Sequence, residues 1–365
     1  MTLLFTLTFL FMFIPISALL AFMPYLTRET VSFGISISEE VFRSEPLRKM
    51  RKKYAVISLA FYIPIFIICI YVSMQSSAEL QSVLFGVMIC LIVIFSLALN
   101  ITFYFNMKKL KASLPVSVQK KAVLAVDTSF HRQKLVLSNK WYIIHLILSL
   151  VSAAAALIYY DSIPEQIAMK FDLQGNIINS VAKSYVTVLY PNLMQLFIIA
   201  LFIFVNWSIQ RSKQQISPGN PEHSVRQNVA FRRRWSLFSI LSGLTIVGLF
   251  SFIQLNMIHP LENSTMMFVS LLLPLFIVLF AIILSITIGQ GGSRIGRSKD
   301  GSPVVPVNDD DYWKLGMFYY NPNDPSLSVE KRVGIGWTIN FAHPGVWFIL
   351  SGLIIVIAIG LFLGL

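Results

Sequence analysis

Residues 54–74 read YAVISLAFYIPIFIICIYVSM and residues 80–105 read LQSVLFGVMICLIVIFSLALNITFYF, parted only by the short polar cluster from Gln75 to Glu79. Neither run holds an Asp, Glu, Lys or Arg. Each exceeds the roughly 20 apolar residues that a helix needs to cross a 30 Å hydrocarbon core. So short a break leaves no room for a domain, and it predicts a tight pair of antiparallel transmembrane helices. Pro64 lies inside the first run, where neighbouring helices can satisfy the carbonyl it frees.

Outward from this pair the pattern repeats. Apolar runs at 3–24, 54–74, 80–105, 141–160, 184–206, 235–256, 266–288 and 345–365 give eight expected spans. Composition agrees: of 365 residues 56% are hydrophobic and only 13% charged, with a mean hydropathy of +0.71. A water-facing domain has roughly 25% charged residues, so the soluble, fibrous and disordered classes are excluded. The fold class read from sequence is an all-α polytopic membrane protein of about eight helices, with a small cytoplasmic β-hairpin before the last. Its expected parts are a seven-helix region over 1–288, a flexible linker over 289–308, a hairpin module over 309–343 and the last helix over 345–365. The first basic residue is Arg28, so the first run lacks the positive start of a cleaved leader and reads as a retained helix.

Orientation follows from the basic residues. Loops 25–53, 106–140, 207–234 and 289–344 hold 27 of the 29 Lys and Arg, whereas the alternate loops hold only Lys170 and Lys183. The reading places both termini outside a bacterial cell membrane and the four basic loops in the cytoplasm, facing anionic lipid headgroups. It also removes the nucleic-acid reading that a net charge of +12 invites. The clusters Arg48 to Lys53 and Arg232 to Arg234 abut the starts of spans, where they act as topology anchors. Because Ser44-Glu45-Pro46 is a helix-start pattern, the first cluster is expected on a helix running into the membrane.

Chemistry is sparse. Cys69 and Cys90 lie in apolar runs and the five histidines are scattered, so neither a disulfide framework nor a metal site is expected, and no cofactor. No span has an ionisable group at mid-depth of the kind a pump uses. Asn100, His145, Gln195, Asn206 and Gln254 are the most polar intramembrane residues, and they read as packing hydrogen bonders. Hydrolase and nucleotide-binding motifs are missing. Asp309, Asp310 and Asp311 offer carboxylates to a cation, but consecutive side chains diverge and read as a solvated linker end.

Two loops are more than connectors. In the outer loop 161–183, Ile167, Met169 and Phe171 alternate with polar neighbours ahead of a Gly175-Asn176 turn, which predicts an extended segment packed on the helix ends or facing an extracellular molecule. In the last cytoplasmic loop, Trp313, Leu315, Met317 and Tyr319 alternate with Lys314, Gly316, Phe318 and Tyr320. Val333, Ile335, Trp337, Ile339 and Phe341 then alternate with Gly334, Gly336, Thr338 and Asn340. Period two on both sides of Asn321 to Pro325 predicts one hairpin, leaning on the helix ends or on a partner because isolated hairpins are marginal in water.

At these loops the chain resembles bacterial families. Through Pro164, Phe171, Gly175 and Lys183, residues 145–205 resemble a multi-pass module of unknown function from Firmicute membrane proteins. That module also occurs in the immunity and signalling protein against the sporulation-delaying toxin. Through Tyr312, Trp313, Lys314, Gly316, Phe318 to Pro322, Lys331, Arg332, Gly334 to Thr338, Asn340 and Phe341, residues 309–343 resemble a C-terminal module of unknown function. The segment 33–53, with Phe33-Gly34, looks familial too. The resemblance implies a non-enzymatic role in defence or signalling: toxin immunity or stress sensing, with an extracellular peptide or a cytoplasmic regulator as partner. A transporter or permease subunit for a neutral or hydrophobic solute is the alternative.

Overall fold

The computed structural model describes residues 13–114, 133–171, 177–216, 220–296 and 309–362. Among the described residues seven long helices carry the fold: α1 Glu45–Met74, α2 Ala78–Ser113, α3 Tyr142–Ile158, α4 Tyr185–Arg211, α5 Pro221–Ile258, α6 Asn263–Ile288 and α7 Pro344–Phe362. Six helical stretches among the described residues are long and apolar enough to cross a membrane, 45–74, 83–113, 139–158, 185–211, 221–258 and 268–292. The expected first span lies largely outside the described residues; its end is helical over 13–21 with a further turn at Met23–Leu26. The expected last span falls on α7.

Several helices begin well before their apolar runs. Helix α1 starts at Glu45, with Ser44 at its N-cap and Pro46 in its first turn, so the cluster Arg48 to Lys53 is helical. Helix α5 starts fourteen residues before the expected boundary, where the Asn220 side chain accepts from the His223 N–H at 3.1 Å. At 1.5 Å per residue its 38 residues span about 57 Å, so its first third projects beyond a 30 Å core. A reciprocal pair of bonds caps α4, Thr187 N–H to Ser184 Oγ and Ser184 N–H to Thr187 Oγ1.

Helix α5 is the centre, packed against α3, α4 and α6. Small buried residues on one face, Ser236, Ser239, Ser242 and Gly243, let the others approach closely. At Gly243 an added Cβ would stand 3.2 Å from both His145 of α3 and Phe202 of α4. His145 is buried, with Nε2 2.9 Å from the Ile240 carbonyl, so the packing role expected of it is the one it plays. Deeper in the same unit Asn192 bonds to the Ser149 carbonyl and to Gln195 Oε1, each at 3.0 Å. Gln195 donates to the Val247 carbonyl at 3.0 Å, and Gln254 to Asn192 Oδ1 at 2.6 Å. These amides cross-link three helices through their backbones. Helices α1 and α2 form the expected hairpin, packed on residues 13–21 through Phe13, Tyr62, Phe66 and Met88.

Among the described residues four two-stranded antiparallel sheets close the ends of the helices. At the end of α5 that carries Met257 and Ile258, β3 Gln166–Phe171 pairs with β4 Ile177–Ala182. Ile163 and Ile167 tuck beneath this hairpin onto Ala156, Val188, Met257 and Ile258. The Gly175-Asn176 turn lies outside the described residues. At the other end, β1 Val31–Ser32 pairs with β2 Ile35–Ser36.

The C-terminal module departs from its sequence reading. Instead of one long hairpin it holds two short ones, β5 Trp313–Lys314 with β6 Phe318–Tyr319, and β7 Ser328–Glu330 with β8 Trp337–Ile339. A single parallel bridge, Tyr319 to Asn340, joins them. The physical reason is backbone sign: Leu315 and Gly316 have φ of 53° and 71°, so the first alternating run folds back on itself after two residues. The expected turn at Asn321 to Pro325 is a loop held from below, where Asn340 Nδ2 donates to the carbonyls of Asn321 and Asp324 at 2.9 and 3.0 Å. The linker also begins later than expected, since Gln290, Gly291 and Gly292 are buried against α5; residues 297–308 lie outside the described residues.

Candidate functional site

The basic ends of the helices gather the charged groups that sequence left scattered. Glu330 at the end of β7 is wholly buried. Its carboxylate pairs with the Arg28 guanidinium and accepts from Asn228 Nδ2 at 2.5 Å. Asn228 Oδ1 in turn accepts from Arg232 Nε at 2.6 Å. The fully buried Arg232 guanidinium then donates to the carbonyls of Ile209 at 2.7 Å and of Ser212 and Lys213 at 3.1 Å, closing the C-terminus of α4. The last carbonyls of a helix are left without intrahelical partners, and a cation suits that negative pole. One chain of bonds thus ties the end of the first helical segment, α4, α5 and β7.

A second cluster forms around Asp310. Arg332 pairs with both Asp309 and Asp310 and donates to the Gly34 carbonyl at 2.8 Å. Its guanidinium lies over the buried Trp313 ring, 5.2 Å from the centroid. Lys111 at the end of α2 reaches Asp310 at 2.7 Å and Ser36 Oγ at 3.0 Å, and the Ser36 N–H donates to Asp310 at 3.0 Å. Asp309 and Asp310 are therefore engaged by Arg332 and Lys111 rather than solvated as a linker end, whereas Asp311 is exposed; among the described residues no group of side chains is arranged to hold a metal.

Two turns meet back to back beside this cluster. Phe33 and Gly34, with φ of 48° and 82°, form the turn between β1 and β2, and both residues take the positive φ that a two-residue hairpin loop requires. The Phe33 ring sits among Tyr54 at 5.6 Å and Phe103 at 5.1 Å. A Cβ on Gly34 would fall 2.4 Å from the Cα of Gly316. Only glycine fits there.

A third cluster holds the loop of the module. Lys213 reaches Asp324 at 2.8 Å, Tyr319 donates to the same carboxylate at 2.8 Å, and Asn321 Nδ2 donates to the Tyr319 hydroxyl at 3.1 Å. Burial alone raises the Asp324 and Asp310 carboxyls, but their cationic partners and donors outweigh it and hold both below the ordinary carboxylate range. Burial likewise lowers Lys213, but Asp324 and Tyr319 outweigh it and lift the ammonium above its ordinary range.

These directions set a pH window. A depressed carboxyl contributes stability that is complete above its unfolded value, near 3.8, and is lost as pH falls through the folded one. A raised lysine contributes below its unfolded value, near 10.5, and loses that contribution as pH rises past it. Fluorescence of the buried Trp313 is expected to stay constant between roughly pH 5 and 10 and to shift outside that range. A midpoint near pH 7 would contradict the assignment.

Of the residues singled out by sequence, Trp313, Tyr319, Asn321 and Arg332 come together in the module core. Gly336 bonds reciprocally with the buried Gln290 side chain, at 2.7 and 3.0 Å. Trp337 packs on Phe231 and Trp235 of α5, at 4.9 and 6.5 Å. Gly316 meets Gly34, whereas Gly334 lies near Met23. Lys314, Tyr320 and Lys331 are exposed. At the opposite end Lys183 reaches Glu165 at 2.8 Å and the Ile163 carbonyl at 3.0 Å, beside an exposed Pro164. Phe171 ends β3, and Gly175 lies outside the described residues. Sequence reasoning missed Arg28, Asn228, Glu330, Gln290, Lys213 and Asp324 as parts of the site, and it took Arg232 for an anchor.

Two comparisons bear on this arrangement. A domain of unknown function, DUF1648, matches residues 147–194, from α3 through the β3–β4 hairpin into α4. A family of unknown function, DUF5808, matches residues 322–347, from the module loop to the start of α7. Both fit an uncharacterised family. No curated protein and no solved structure matches the chain.

Proposed function

We propose that the chain is a non-enzymatic multi-pass protein of a bacterial cell membrane, with eight spans, both termini outside and its four basic loops in the cytoplasm. In this reading the β3–β4 hairpin faces the exterior and meets a toxin, a peptide or an envelope stress, and the C-terminal module holds a cytoplasmic regulator. The observation that carries it is the reach of a single helix. Helix α5 packs Met257 and Ile258 beneath the hairpin at one end, and Asn228, Phe231 and Arg232 beneath the module at the other. A contact that shifts one end of such a rod has a direct mechanical route to the other. The module's period-two pattern supports the second half of the reading. Trp313 and Tyr319 point inward, leaving Tyr312, Phe318 and Tyr320 exposed on a domain that is itself bolted down. Exposed aromatics on a rigid support are the usual anchors of a protein contact.

Deleting 309–343 is a poor test, because it strips Glu330 from Arg28 and Asn228. The sharper variant is Tyr312→Ala, Phe318→Ala and Tyr320→Ala together, which touches only exposed side chains. The full chain is expected to co-purify with a soluble cytoplasmic protein that this variant loses while still inserting normally. If wild type retains no soluble protein that the variant loses, tethering is wrong. Solute flux through the purified protein in liposomes would replace this reading with the transporter alternative.

A further inference from the structure

We propose that the projecting start of α5 carries a binding site for the phosphate of an anionic phospholipid. A groove of about 390 Å³ lies along this stretch, lined by Arg226, Arg233 and Arg234 together with Val225, Val229 and Ala230. Gln133 forms its far wall. Spacings of three, four and eight residues set all six lining positions of α5 on one helical face. That face is neither purely basic nor purely apolar.

Several other arginines at this end are already engaged. Arg28, Arg332 and Arg43 have carboxylate partners, and Arg232 is consumed by backbone carbonyls. Arg226, Arg233 and Arg234 are exposed, and none takes part in an ion pair among the described residues. Arg233 Nε donates to the Lys134 carbonyl at 2.8 Å, which aims its fork while leaving the terminal nitrogens for a ligand. A guanidinium fork matches two phosphate oxygens at once, which a lysine cannot do. The depth is also right. The apolar run of α5 begins at Trp235, so Arg233 and Arg234 stand at the edge of the span, where lipid headgroups lie. A soluble phosphate would need only the guanidiniums; the place of Arg233 and Arg234 at the very start of the span argues for a lipid.

The test uses the full-length protein in a zwitterionic detergent with a fluorescent phosphatidylglycerol probe. Unlabelled phosphatidylglycerol is expected to displace the probe, whereas phosphatidylcholine and millimolar inorganic phosphate are not. Arg226→Gln, Arg233→Gln and Arg234→Gln together should weaken the probe about a hundredfold, as the loss of three surface charges implies. The corresponding lysine triple variant keeps the charge and the topology; it should weaken binding about tenfold, through loss of the fork alone. Neutralising Arg48, Lys49, Lys52 and Lys53, the exposed basic face of α1, serves as the control and should change the affinity by less than about threefold. Equal losses in the α5 glutamine variant and the control, or full affinity in the lysine variant, would overturn the site. Displacement by phosphate as effective as by lipid would overturn its assignment to a phospholipid.

Discussion

Arg232→Ala is expected to lower the stability of the detergent-solubilised protein by about 3–5 kcal/mol, the range for removing one partner from a buried charged network. The variant removes the donors that close α4 at Ile209, Ser212 and Lys213, and it leaves Asn228 holding Glu330 without support from below. Arg233→Ala, one residue on, removes an exposed side chain and is expected to change stability by no more than about 0.5 kcal/mol. Thermal unfolding followed by circular dichroism distinguishes them. Similar melting temperatures for the two variants would mean that the buried network contributes nothing specific.

Gly34→Ala is the second large effect. The new methyl group meets backbone rather than a movable side chain, with the Cα, carbonyl carbon and oxygen of Gly316 all within 2.8 Å. It also forces a residue with φ of 82° to carry a Cβ. Left-handed strain and overpacking each cost about 1–3 kcal/mol, so a combined loss of about 3 kcal/mol is expected, concentrated where β1–β2 touches the module. Near-UV dichroism should show the Trp313 environment loosening before the helices melt. A Gly34→Ala variant with native signals up to the wild-type melting temperature would contradict the turn-to-turn contact.

The helices were legible because the apolar runs are long and the polar breaks short. Gln75 to Glu79 marks the break between α1 and α2, and Ser44-Glu45-Pro46 marks the start of α1. The charged clusters were not legible, for a geometric reason. In Arg232-Arg233-Arg234 successive side chains diverge by about 100°, so one faces inward and is buried while its neighbours face out, yet the three letters are the same. Arg51 repeats the lesson within Arg48 to Lys53: it alone is buried, donating to the Phe42 carbonyl at 3.0 Å beneath the Phe42 ring. Asp309 and Asp310 look like a linker end until Arg332 and Lys111 are placed beside them by the fold. The module misled differently. Alternation was real in Trp313 and Tyr319, but the positive φ at Leu315 and Gly316 cannot be read from a pattern of apolar letters.

The pairing of Arg28 with Glu330 spans 302 positions of the chain. During synthesis, therefore, a basic residue that leaves the ribosome early waits for an acidic one made late. Until β7 emerges, the early helices stand in the bilayer with their inner clasp undone. A chain broken anywhere upstream of β7 lacks Glu330, and so leaves Arg28 without the carboxylate that fastens it.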